Sequence, residues 1–434
     1  MLSRILSEDF PRSKPLTALL LVIVVSLALG PFLFDGIRAF TTLGMICVFI
    51  MVVAAYDLML GYTHIVSFAH TMFFGIGAYG VAMAVDGMGN TFGAVLAGIV
   101  GALAVSFVLS LLLGLLSLRV KAIFFALVTL AVAFAFLSLV TQLYNITGGE
   151  DGMRVRVPRE LGPAFRPFED TLPGIDVPTL LKGLLTQPWN IGQVWQEATF
   201  EVRFNGRNVM YYVLVAMATG VFLFLLRLVN SPFGRVLQAI RENEFRAEAL
   251  GYRTVVYRTA VVILSALVAT LAGAGFALIN RYVNPENTLN FELMVFILLM
   301  CVIGGMGTLY GAIVGSTLFI LAQNYLQDLL GWIGQYTAGI PLVENLLGED
   351  HWLLWFGVLF VLSVYFFPAG VVGQLRIWSL RQRNRLTPPP SRTLLLRVPR
   401  GQCKVCWSGK FRPNACLMYD RRWRSSLPHL CDLC

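Results

Sequence analysis

Two CxxC pairs stand at the end of the chain, Cys403 with Cys406 and Cys431 with Cys434, and 24 residues separate them. Four thiolates so arranged can hold zinc in a tetrahedron. The separation is longer than in the usual zinc ribbon, so a disordered basic tail is the leading reading and zinc ligation its alternative. Other polar residues sit within long apolar stretches: Asp57, His64, Ser67, His70, Asn280 and Glu292. Such positions are costly in lipid and usually face a cavity, a path or another subunit. His70 reads as a path or hinge residue, or as a histidine bonded to a carbonyl of a neighbouring helix. Asp57 and Glu292 read as residues at a membrane boundary. His64 and His70 are six apart, which does not place them on one helix face as the i, i+4 zinc motif does. No GxxxxGK[ST] run occurs, so the chain encodes no phosphate-cradling loop of its own. Nor does a GxSxG, HExxH or GxGxxG element fall in a strand–helix setting. The chain therefore reads as a non-enzyme without a cofactor.

Composition says what must position these residues. Of 434 residues, 57% are hydrophobic and 13% charged. Soluble domains carry about a quarter charged residues. Only a bilayer excuses so few over such a length. The net charge of +9 is equally local. Gln374 to Cys434 contains 13 Lys/Arg and 2 Asp/Glu, and the rest contains 20 and 22. Basicity confined to a tail beside a span points to topology and anionic lipid, not to nucleic acid. Cys47 and Cys301 fall within apolar runs and read as buried, inert thiols.

Hydrophobic runs predict an all-α polytopic protein of about ten transmembrane helices: 16–34, 39–60, 64–86, 91–117, 121–144, 207–229, 254–280, 290–304, 308–330 and 351–372. With the N-terminus (1–15) in the cytoplasm, Arg119, Lys121, Arg235, Arg241, Arg246, Arg253, Arg258 and the tail (374–434) all fall inside. Glu344, Glu349, Asp350 and the long 145–206 loop fall outside. This satisfies the positive-inside rule. The spans from two to five and from seven to ten start on opposite sides, so any repeat is inverted. Each half holds a glycine-interrupted stretch, Gly61–Gly80 and Gly304–Gly315. Broken spans in matching halves point to a translocation path. The competing reading is close packing of small residues.

Between the sixth and seventh spans, 230–253 reads as one short amphipathic helix on the cytoplasmic side. Ser231 suits its N-cap, Pro232 its first turn and Gly251 its stop. Val236, Leu237, Ile240, Ala247 and Leu250 recur at helical spacing, while Arg235, Arg241 and Arg246 alternate with Glu242, Glu244 and Glu248. A transporter driven by a separate protein needs a rigid, charged element of this kind. The alternative is a surface helix with solvated charges.

Four separated blocks now carry a resemblance: LGYTHIVSFAHTMFFGIGAYGVAM at 60–83, TGGEDGM at 147–153, SPFGRVLQAIRENEFRAEALGY at 231–252 and VIGGMGTLYGAIVGS at 302–316. Over about residues 40 to 372 the chain resembles the LivM-type permease of branched-chain amino-acid ABC importers, a type II importer-like fold. It departs where the family pattern reads like GYAGQLSLGHAAF. Ser67 and His70 are kept, but His64 and Ala69 stand in place of glycines. The resemblance implies an inner-membrane subunit that pairs with a second permease, two cytoplasmic ATP-binding subunits and a periplasmic substrate-binding protein. It implies ATPase coupling through Arg241, Glu242, Glu244, Glu248, Ala249 and Gly251. The broken spans and the polar residues within them give a candidate path along Ser67, His70, Asn280, Gly304, Gly305 and Gly307. The expected cargo is a branched-chain amino acid. Alternatives are urea, amides or another small polar solute, and an ion-coupled transporter using Asp57 and Glu292.

Overall fold

The structure is a computed structural model that describes residues 14–116, 122–162, 165–166, 171–180, 195–196, 198–336, 352–366, 370–376 and 378. Arg119, Lys121, Glu344, Glu349, Asp350, the N-terminal 13 residues and the tail cysteines Cys403, Cys406, Cys431 and Cys434 lie outside the described residues.

Each expected span overlaps a helix, though not always over its full length. The helices are α1 (Lys14–Ala28), α2 (Ile37–Thr63), α3 (His70–Met88), α4 (Phe92–Leu116), α5 (Ala122–Gln142) and α6 (Gly206–Val229). Then come α7 (Pro232–Glu242), α8 (Glu244–Ala249), α9 (Thr254–Asn280), α10 (Phe291–Gly304), α11 (Leu309–Tyr336) and α12 (Trp352–Phe366). Among the described residues, eight helices are long and apolar enough to cross a membrane. The helices α1 and α12 are shorter apolar pieces, and α7 and α8 form the charged hairpin. The chain is a multi-pass, all-α membrane protein.

The sequence of α2 is apolar around its whole circumference, and it is buried around its whole circumference, from Ile46 to Met59. A helix apolar on every face belongs at the centre of a bundle. In contrast α4 turns Leu96, Val100, Val108 and Leu112 outward, which in a bilayer is the lipid face. Lipid tails offer no hydrophobic reason for two helices to meet, so close packing must hold them. Gly273 of α9 lies against the main-chain carbonyl of Phe74 in α3, and Gly77 of α3 against that of Thr270 in α9. The Thr270 hydroxyl also lies 2.6 Å from that of Ser106, tying α9 to α4.

One span begins later than the hydropathy suggests. The stretch from 64 to 86 reads as one helix, but α3 starts at His70. His64 ends α2 in the left-handed conformation, with φ of 54°. Residues 65–69 then run without helix, and the Ser67 hydroxyl accepts the Ala69 N–H at 3.2 Å.

Among the described residues, four short strands lie outside the spans. Strand β1 (Met153–Arg154) pairs antiparallel with β4 (Tyr282–Val283), and β2 (Thr171–Ile175) with β3 (Thr199–Arg203). The first ladder explains the TGGEDGM block. Gly152 sits at φ of 70° against the Val283 carbonyl, so the turn docks on the connection that follows α9. Within that connection burial pulls the Arg281 guanidinium below its ordinary value, and the charge of Arg207 adds to the effect.

Candidate functional site

The predicted amphipathic helix is two helices. Asn243 breaks it with φ of −162°, and its side-chain oxygen accepts the Arg246 N–H at 3.0 Å to start α8. Asparagine favours such caps over helix interiors because its amide competes for backbone bonds. Pro232 opens α7 as expected, but the Ser231 hydroxyl donates back to the Leu228 carbonyl at 2.6 Å instead of capping forward. Gly251 ends the hairpin at φ of 90°. Val236, Leu237, Ile240 and Ala247 are buried against the spans, whereas Leu250 is 72% exposed and joins Phe245, which is 82% exposed.

The hairpin's charges divide into two groups. Glu244 grips Arg258 of α9 through both carboxylate oxygens, at 2.6 and 2.8 Å. Glu248 accepts the Thr254 hydroxyl at 2.7 Å. Arg241 turns inward, and its Nε donates to His64 Nε2 at 3.2 Å. Glu242, Ala249 and Gly251 remain exposed with Phe245 and Leu250. Thus the six coupling candidates include three that fasten the hairpin to the spans and three that face outward.

Arg241 reaches the place where the two broken stretches meet. The chain leaves helix at His64 and again between Gly304 and Leu309, with φ of 113° at Gly305 and 80° at Gly307. Asp57 Oδ1 accepts the Gly307 N–H at 2.7 Å and lies 3.5 Å from Cys301 Sγ. A Cβ on Gly307 would stand 2.5 Å from Arg241 Nη1, and one on Gly61 would strike both Asp57 and the Gly307 nitrogen. Asp57, Gly61, His64, Gly307 and Arg241 therefore form one knot, built from α2, the α10–α11 turn and α7. Asp57 does not stand at an open boundary, being 1% exposed, and its Oδ2 has no hydrogen-bond partner among the described residues. Here the expectation from sequence is corrected. An apolar stretch reveals that a carboxylate is costly, but not that a turn 250 residues away supplies its donor.

The six path candidates do not form a single group. Gly304, Gly305 and Gly307 belong to the knot, where Gly304 also packs on the main chain of Gly311. Ser67 and His70 are buried where α2, α3 and α9 cross. His70 Nε2 lies 2.7 Å from the Ser265 hydroxyl, which itself donates to the Ala55 carbonyl. Asn280 is at the opposite end, donating to the Tyr282 carbonyl at 3.2 Å and lining a cavity there. Sequence reasoning missed His64 and Asp57 as partners of the knot and Phe245 as an exposed apolar residue. The replacement of a family glycine by His64 was the available signal for the first. The arrangement joins an exposed charged hairpin to two interrupted helices through Arg241, His64 and Gly307.

The family described as branched-chain amino acid transport system, permease component, matches residues 38–364. The probable branched-chain amino acid transport permease protein LivM of Methanocaldococcus jannaschii is 29% identical over 191 residues, 43% of this chain and 50% of that protein. The high-affinity branched-chain amino acid transport system permease protein LivM of Escherichia coli is 26% identical over 365 residues, 82% of this chain and 75% of that protein. Its namesake in Salmonella typhimurium is 25% identical over 337 residues, 76% and 69% of the two chains. The match thus spans half the length of the first of these relatives and more of the other two. No solved structure matches the chain.

Proposed function

The chain belongs to the permease-component family of branched-chain amino acid transport systems, and on that footing we propose that it is the membrane-spanning subunit of an ABC importer. It carries branched-chain amino acids across the inner membrane. Two cytoplasmic ATP-binding subunits drive it, a second permease completes the pathway, and a periplasmic binding protein delivers the cargo. The hairpin of α7 and α8 lies in the cytosol with both termini.

The observation that supports this reading is the bond from Arg241 to His64. An element gripped by a motor must be stiff and must touch what it is to move. The hairpin is pinned to α9 by the Glu244–Arg258 pair, and Arg241 extends from it into the knot where the two broken helices meet. Its outer face presents Phe245 and Leu250, two large apolar side chains that a partner would cover. Displacement of the hairpin would pull on Gly307 and His64 together and so open or close the path at its cytoplasmic end.

Co-purification tests the reading. The wild-type chain retains its ATP-binding subunits, and Phe245→Glu or Leu250→Glu loses them together with ATP-driven leucine uptake. Retention of the ATPases by both variants, or labelling of a cysteine at position 245 only from the outer side, would end this assignment.

A further inference from the structure

At the end of the bundle away from the hairpin, a cavity of about 430 Å3 opens between α2, α9, α10 and α11. Its two parts differ in chemistry. The floor is made by Phe49, Phe276, Phe296 and Met300. These side chains are held in place by further rings: Phe276 lies 5.2 Å from Phe74, and Phe296 lies 5.2 Å from Phe319, centroid to centroid. At the mouth stand Glu286 and Glu292, both exposed, and neither is paired with a cation of the chain among the described residues. The side-chain amide of Asn280 lies at the same rim.

None of the residues lining the cavity belongs to the knot. Phe49 precedes Asp57 by eight residues of unbroken helix, a distance of about 12 Å along the axis. Over that length α2 is buried on all sides, and the bundle closes on Asp57 and Gly307.

We infer that this cavity is the solute-receiving vestibule of the permease, and that it takes an α-amino acid with a branched aliphatic side chain. Two carboxylates that no cation neutralises among the described residues favour a solute bearing an ammonium group and repel anions. The amide at the rim can donate to the solute carboxylate. The aromatic and thioether floor accepts an aliphatic side chain, while Asn287, Asn290, Gln323 and Asn324 add polar groups to the lining. The inference rests on the proposed function for its solute class, and it adds the residues that meet the solute.

The test uses the complete importer, with partner permease, ATPases and binding protein, reconstituted in vesicles and supplied with labelled leucine. Assembly is checked by co-purification. The paired change Glu286→Gln with Glu292→Gln raises KM for leucine by about tenfold, the loss of one charge-assisted contact, with a smaller effect on kcat. Phe296→Ala enlarges the floor and shifts the ratio of phenylalanine to leucine uptake upward from that of the wild type. If Phe296→Ala does not assemble, the carboxamide pair decides alone. Wild-type leucine uptake combined with unchanged KM in the carboxamide pair and an unchanged uptake ratio overturns the vestibule and leaves the proposed function standing. A wild-type importer that moves no branched-chain amino acid overturns both.

Discussion

The carboxylate of Asp57 accepts the main-chain N–H of Gly307 at 2.7 Å, across 250 residues and with the side chain fully buried. A helix break deep in a bundle leaves N–H groups without their usual partners, and lipid supplies none. Asp57 fills one such vacancy in the α10–α11 turn from the last two turns of α2. The cost of burying a carboxylate is thereby tied to holding two interrupted stretches together.

Removal of that acceptor should loosen the turn. Asp57→Leu leaves the Gly307 N–H unsatisfied, which costs about 1–3 kcal/mol. Asp57→Asn keeps an oxygen in the same place. Thermal unfolding of the purified protein is expected to fall clearly for the first variant and little for the second, with leucine uptake following the same order. Equal stability of the two variants would show that the bond does not hold the junction.

Close approach of α3 and α9 makes a second prediction. Gly273 abuts the Phe74 carbonyl, a main-chain atom that cannot swing aside. Gly273→Val forces the helices apart, at about 1–3 kcal/mol for an overpacked site. Gly87 has nothing near its missing Cβ, so Gly87→Ala is the matched control and should leave unfolding temperature and expression unchanged.

Much of this architecture is legible in the sequence because lipid imposes a simple rule. A run long enough to span must be helical, so the spans could be placed from hydropathy alone. The charged element between α6 and α9 was legible from Pro232, Gly251 and the alternating charges, but as one helix and not as a hairpin. What periodicity does not carry is pairing over distance. Arg241, Glu244 and Glu248 look alike as charges on a cytosolic face, yet each has a partner within the chain, at His64, Arg258 and Thr254. The break at Asn243 was hidden for a related reason. A capping asparagine inside an amphipathic run differs from a solvated one only when the next N–H is seen to meet it.

The pair between Glu244 and Arg258 gives a third prediction. The two side chains are 40% and 27% exposed, so water screens them, and the pair contributes about 1 kcal/mol or less. Glu244→Arg alone sets two cations face to face and should free α8, seen as protease cleavage between residues 243 and 252. The exchange Glu244→Arg with Arg258→Glu restores the attraction and should restore resistance. Equal cleavage of the single and exchanged variants would mean that the pair does not hold the hairpin.

The contact between Arg241 and His64 allows the mechanical link itself to be measured. Each residue has another role: Arg241 extends over Gly307, and His64 ends α2 in a left-handed turn. Single substitutions therefore mix several effects, and only a double-mutant cycle isolates the pair. Arg241→Gln, His64→Gln and the double variant are compared for leucine moved per ATP hydrolysed in the assembled importer. If the hairpin pulls on the broken helices through this bond, either single change lowers the ratio about fivefold or more, equivalent to roughly 1 kcal/mol of coupling, and the second change adds little to the first. Two independent, multiplying losses would place the transmission elsewhere, in the packing of Leu237 and Ile240 against the spans.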